Sequence, residues 1–264
     1  MTTWPLNRFV WPHSVRVDHE QNLWLVDVLG HRVHKTTKGG EALLTLGTGE
    51  TPAEPQLGAP FNRPTDVAVS PRTGDVYVSD GYRNSRVHCY DAAGAHKFSW
   101  GEPGSDPGTF SLPHNIHFAY GDDADDPAGD HLLVADRENH RVQCFGMDGA
   151  FRHEFHVHHV AAVTVGRGRD RSIYCGEQGP PPVNTGVRNL GHRVSIYDPA
   201  GKLVTRIGAP LPGEHPEQFL WPHSVAVDSR GDVYVAEVSY AEVGRKQGVP
   251  REMVSLRKWR RVSG

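Results

Sequence analysis

Residues 65–101 read Thr65-Asp-Val-Ala-Val69, Asp75-Val-Tyr-Val-Ser-Asp80, Ser85-Arg-Val-His-Cys-Tyr90 and His96-Lys-Phe-Ser-Trp-Gly101. Each segment alternates apolar and polar residues, the pattern of a strand with two different faces. The turns between them, Arg72-Thr-Gly74 and Ala92-Ala-Gly94, carry the glycine that a tight hairpin needs. Working outward, the same unit starts again at His13, His114, Ala161 and His223. The copy that starts at His223 supplies only three of the four segments. Four-stranded units of about 40–50 residues in tandem specify an all-β fold, the β-propeller. Five blades are recognisable, at about 11–47, 62–101, 112–157, 158–208 and 221–262. Nothing interrupts the series, so the reading is one domain over 1–264.

The 264 residues carry a net charge of −3, which gives no electrostatic case for nucleic acid. No stretch approaches the ~20 apolar residues of a spanning helix, so no membrane partner is expected. Residues 1–10 lack the charged start and apolar run of a signal peptide. Cys89, Cys144 and Cys175 are odd in number and lack metal-type spacing, which reads as reduced thiols in the cytoplasm. The chain is expected to be a monomer. Its 17 histidines hint at metal chemistry.

Three of those histidines close a recurrent tripeptide: Trp11-Pro12-His13, Leu112-Pro113-His114 and Trp221-Pro222-His223. Each begins the first strand of its repeat, the innermost strand of a blade. The second-to-third-strand turns emerge on the same face, each led by an acid: Asp27, Asp80, Asp136, Glu177 or Glu237. Repeats one, three and five are alternate sectors of a six-sector ring, so their histidines suit one shared ion. The series therefore reads as a six-blade architecture with its first blade missing or incomplete. Three neutral imidazoles with an open fourth position form a catalytic rather than a structural zinc pattern. The competing reading, that Pro-His merely caps the strand, meets Thr65 and Ala161 at the same place in repeats two and four.

Tyr82, on the turn after Asp80, suits a general base beside a metal, or else an aromatic cover for the channel mouth. Arg137, on the equivalent turn of the next repeat, suits a bidentate grip on a substrate carboxylate, or else pairs with a neighbouring acid. The five acids and Arg32, Arg86, Arg141 and Arg193 recur with and without histidine, which marks them as structural. Residues 122–126 read as a solvated acidic loop. Arg257-Lys-Trp-Arg-Arg261 reads as a basic edge strand. The long insertions 178–191 and 238–254 are placed to wall a cleft.

The repeats resemble NHL repeats. Pro64-Thr-Asp-Val-Ala-Val69, Val78-Ser-Asp-Gly-Tyr-x-Asn-Ser-Arg86, Pro113-His114 and Val134-Ala-Asp-Arg-Glu-Asn-x-Arg-Val-Gln-Cys-Phe145 are more specific. They resemble the peptidyl-α-hydroxyglycine α-amidating lyases, also called peptidylamidoglycolate lyases, in a bacterial form. The resemblance runs from about Trp11 to Val262. It implies a zinc lyase that cleaves the C–N bond of a carbinolamide with a terminal carboxylate into an amide and glyoxylate. It matches the family's zinc histidines to His13, His114 and His223, its catalytic tyrosine to Tyr82 and a family arginine to Arg137. The family's first-blade arginine has no counterpart, since Arg8 lies in no matching motif. Ser224 stands where a calcium-binding Asp is found, leaving only a backbone carbonyl at Val15, so no calcium is expected. Cys144 matches one half of a family disulfide, but Leu133 holds the partner position and Arg83 replaces a further cysteine. The runner-up function is a non-catalytic NHL-repeat propeller that binds a peptide or protein on its top face.

Overall fold

A computed structural model describes residues 9–49, 52, 54–121, 126–168, 170–180, 187–188 and 190–262. The chain forms five antiparallel sheets, each one blade of a β-propeller. The first holds β1 (Pro12–Val17), β2 (Leu23–Asp27), β3 (Arg32–Thr36) and β4 (Ala42–Leu46) in that order. The second holds β5 (Asp66–Val69), β6 (Val76–Asp80), β7 (Arg86–Tyr90) and β8 (His96–Trp100). The third holds β9 (Pro113–Ala119), β10 (His131–Asp136), β11 (Arg141–Gly146) and β12 (Phe151–His156). The fourth holds β13 (Val160–Val165), β14 (Ile173–Glu177), β15 (Arg193–Tyr197) and β16 (Leu203–Ile207). The last has three strands, β17 (Pro222–Val227), β18 (Val233–Glu237) and β19 (Leu256–Trp259). No helix among the described residues is long and apolar enough to cross a membrane.

The strands fall into two compact units, Met1–Asn139 with Gln143–His153, and His140–Val142 with Glu154–Gly264. In the first unit β1 lies beside β5 and β5 beside β9, so the opening strands of successive blades are innermost. The core sits between blades. Trp24, Val26, Val33 and Leu46 close on Phe61, Val67 and Val78, and Tyr77, Val87 and Cys89 close on Phe110, Ile116 and Val134. In the second unit β13 lies beside β17, over a core that joins Tyr174 and Val194 to Phe219, Val225 and Val235. The outer strands β4, β8 and β16 are largely exposed, as alternation with one apolar face requires.

Three of the four joints between successive blades use one device. A glycine that ends the outer strand, Gly47, Gly101 or Gly208, takes a positive φ (90°, 93° and 123°). A Cβ there would press on Phe61, Phe110 or Phe219, at 2.8, 2.5 and 3.0 Å, so glycine lets the next blade's phenylalanine seat. A second device recurs at the end of the second-to-third-strand turn. His31, His140 and His192 sit at φ 51°, 55° and 52°, each just before the arginine of the third strand. His31 Nδ1 accepts from Arg63 N (3.1 Å) and His140 Nδ1 from His159 N (2.9 Å), while His192 Nδ1 donates to Leu220 O (2.6 Å). Three of the 17 histidines are thus explained by backbone strapping rather than by metal.

The strand β19 lies at the edge of the last sheet, as its sequence reads, and also carries charges to buried acids. Arg257 is buried and donates to Glu237 at 2.6 Å. Lys258 pairs with Asp232 at 2.8 Å. Arg257 and Lys258 thus tie an edge strand to the acids at either end of β18, while Arg260 and Arg261 stay exposed. Within the acidic stretch 122–126, residues 122–125 lie outside the described residues, and Asp126 caps a short turn by accepting from Ala128 N. Of the insertion 178–191, residues 181–186 and 189 lie outside the described residues. The insertion 238–254 contains a π-helical turn, Tyr240–Gly244. Cys89, Cys144 and Cys175 are free, buried thiols.

Candidate metal centre

The tripeptide is placed by the acid that ends the second strand. Asp27 accepts from Val10 N (2.9 Å) and Trp11 N (2.8 Å), Asp136 from Ser111 N (2.7 Å), and Glu237 from Leu220 N (2.5 Å) and Trp221 N (3.1 Å). Asp80 does the same for Asn62 N, at 3.1 and 3.0 Å from its two oxygens. These four acids are structural: each holds the backbone that leads into the first strand of its blade.

Each histidine is then aimed by a bulge. Pro12 pairs with Asp27 and Ser14 with Val26, which leaves His13 as the unpaired extra residue of β1. In β9, Pro113 pairs with Asp136 and Asn115 with Ala135, so His114 is extra. In β17, Pro222 pairs with Glu237 and Ser224 with Ala236, so His223 is extra. A bulge re-aims one side chain out of the pleat, a common arrangement beside active sites. Strict alternation would not turn these imidazoles out of the sheet.

In the first unit, two of the histidines and the tyrosine meet. The His13 and His114 ring centroids are 5.0 Å apart with planes at 78°. Their nearest ring nitrogens lie within 4.8 Å. Tyr82 Oη is 3.0 Å from His13 Nε2 and 3.2 Å from His114 Nε2. The His13 tautomer is fixed: Nδ1 is 2.7 Å from Thr65 O, and a carbonyl only accepts, so Nδ1 carries the hydrogen and Nε2 the lone pair. Burial lowers the His13 pKa, outweighing the Thr65 carbonyl and Asp66, and the Arg137 charge pushes the same way. Burial thus favours the neutral imidazole. A neutral, oriented imidazole with its second nitrogen on a carbonyl is the form in which histidine binds a metal. His114 is 1% exposed. Trp11 stacks on Tyr82 at 6.0 Å and 19° while remaining 46% exposed.

Gly81 decides how closely the tyrosine turn approaches. A Cβ there would lie 2.2 Å from Pro113 O, so only glycine lets Tyr82 follow so near to His114. Arg137 opens a short 3-10 turn, Arg137–Asn139, and its Nε donates to Glu138 at 2.9 Å. Its backbone N–H donates to Leu112 O, so it stands beside the tripeptide that carries His114. In the second unit, His223 holds the bulge position of β17 and is half-buried. Within the first unit, His13 and His114 form a pair of imidazole donors compatible with a metal cofactor.

The NHL repeat model matches residues 61–90 and 126–145. The β-propeller thus carries NHL-repeat sequence in those two stretches. Peptidylglycine alpha-amidating monooxygenase of Rattus norvegicus is 34% identical over 249 residues, which cover 88% of the propeller and 23% of that protein. Peptidyl-alpha-hydroxyglycine alpha-amidating lyase 1 of Drosophila melanogaster is 32% identical over 253 residues, 89% of the propeller and 44% of that protein. The propeller thus spans less than half the length of either relative. Virginiamycin B lyase from Staphylococcus aureus is similar in fold, at TM-score 0.58 and 16% identity, covering 88% of the propeller and 65% of that structure.

Sequence reasoning found the histidines and the tyrosine but missed Thr65 and Asp66, which stand between them. The signal was available: Thr65 occupies the histidine position of a repeat that has no histidine.

Proposed function

We propose that the propeller is a zinc-dependent lyase that cleaves the C–N bond of a peptidyl-α-hydroxyglycine-type carbinolamide to an amide and glyoxylate, with His13, His114 and His223 as the zinc ligands. The observation that carries this reading is the placement of Tyr82 Oη within 3.2 Å of both His13 Nε2 and His114 Nε2. Similarity to proteins named amidating lyase supports the reaction class. A zinc ion on three imidazoles supplies a Lewis acid that lowers the pKa of a bound hydroxyl.

The chain's own groups do the rest. Tyr82, as its phenolate, takes the proton of the substrate hydroxyl as general base. The electron pair left on that oxygen forms the aldehyde C=O as the C–N bond breaks, and the amide nitrogen takes up the proton that Tyr82 gained, which restores the phenolate. Arg137 holds the substrate carboxylate, with Glu138 orienting its guanidinium from the Nε side. Trp11 offers an aromatic face beside the tyrosine to the rest of the substrate.

Glyoxylate release from α-hydroxyhippurate tests the reading. The zinc-loaded protein should release it, and Tyr82→Phe should slow release by about 10²–10⁴-fold, the usual contribution of a general base. Release by neither protein, with zinc bound, would leave a metal-binding propeller without this chemistry.

A further inference from the structure

Blade two carries no Pro-His, yet its first strand stands between the two that do. Its opening residues touch the His13 ring, the residue after His13 and both neighbours of His114. Thr65 O accepts from His13 Nδ1 at 2.7 Å, and Thr65 Oγ1 donates at 2.7 Å to the carbonyl of Pro113, the residue before His114. Asp66 takes the other flank. It accepts from the hydroxyl of Ser14, the residue after His13, and from Asn115 Nδ2 at 2.6 Å, the residue after His114. Arg16 and the N–H of Ile116 bind the same carboxylate.

Thr65 and Asp66 are both fully buried. Burial pushes the Asp66 carboxyl up, but the Arg16 guanidinium and the Ser14 hydroxyl outweigh it and hold the group below the usual carboxylate range. An ion pair taken out of water brings little net stability and is weak evidence for a stabilising role. A carboxylate that gathers donors from both neighbouring strands has a definite geometric consequence: β1 and β9 cannot slide along β5 without breaking charge-assisted bonds.

We infer that Thr65 and Asp66 are positioning residues that set the spacing and ring orientation of His13 and His114, and so the metal affinity of the centre. The role of the histidine position in blade two is to hold its neighbours rather than to contribute a ligand. The inference rests on the proposed zinc site, deepening it from ligands to the groups that orient them; partners of this kind change metal affinity by about 10–100-fold when removed.

Zinc titration against a competing chelator tests it, with Asp130→Asn as control. Asp130 is likewise buried and paired, with Arg72, but touches none of these groups. Asp66→Asn should weaken zinc binding by about 10–100-fold and shift the visible spectrum of the cobalt-substituted protein, whereas Asp130→Asn should leave both unchanged. Ser14→Ala, which removes one donor at a half-exposed position, should weaken zinc binding in the same direction with a wild-type melting temperature, and answers the case in which Asp66→Asn does not fold. Wild-type affinity and an unshifted cobalt spectrum in Ser14→Ala and Asp66→Asn would overturn the inference. Failure of the wild-type protein to bind zinc would instead overturn the metal reading beneath it.

Discussion

His158 shows what a histidine-rich chain does with rings that no metal claims. Its ring lies 4.9 Å from that of His140, stacked at 29°, and 6.2 Å from that of His159. Its Nε2 is buried with no hydrogen-bond partner among the described residues. Burial, and then the charges that His140, His159, Arg193 and His156 would add, lower its pKa to about 4. The unfolded chain takes up this proton near the ordinary value of 6.5, so its contribution to stability is complete above that pH. It is lost as pH falls from about 6.5 to about 4, because only the unfolded state gains the proton there. Thermal melts across that range should show the wild-type midpoint falling with acidification, and a shallower fall in His158→Phe. Parallel slopes would show that the cluster carries no such linkage. At this scale the sequence was legible where a residue repeats in register. His13, His114 and His223 announced themselves by Pro-His; the strapping role of His31, His140 and His192 is written in a recurrent His-Arg-Val, but a spacing does not say which way a ring nitrogen points.

Strands explain why the tripeptide is Pro-His followed by alternation. Proline cannot donate to the ladder, the acid opposite it caps the incoming loop, and the residue after it becomes the bulge. Alternation fixed the strands themselves, and the hairpin glycines fixed their turns. The bulges were not legible, since one extra residue leaves the apolar pattern downstream unchanged and reveals itself only through pairing with the next strand. The close approach of the Tyr82 turn to β9 was equally hidden. Gly81 looks like an ordinary turn glycine, yet its Cα faces the Pro113 carbonyl with no room for a methyl group. Gly81→Ala should destabilise the fold by about 1–3 kcal/mol, the usual cost of overpacking, and lower lyase turnover further than that loss of folded protein accounts for. A chemical-denaturation curve and a glyoxylate assay on the same sample separate the two. Unchanged turnover would show that Tyr82 tolerates displacement.

For the molecule as a whole, the five repeats were readable because four blades are written in the same four-part script and the last in three of its parts, and the NHL model finds two stretches of it. Net charge and composition gave no electrostatic case for nucleic acid and pointed to no substrate. The tail 257–261 was read as the edge strand it is, but the buried acids that Arg257 and Lys258 reach, Glu237 and Asp232, were not legible. Convergence of His13, His114 and His223 on one ion is an inference from the repeat, supported by the common bulge position. Its direct test is the zinc content of the purified protein and of His223→Ala, measured by inductively coupled plasma mass spectrometry after dialysis against trace metal. The account predicts one zinc per chain in the wild type, as a three-histidine site requires, and near-complete loss in the variant. Retention of a full equivalent by His223→Ala, or none in the wild type, would contradict it.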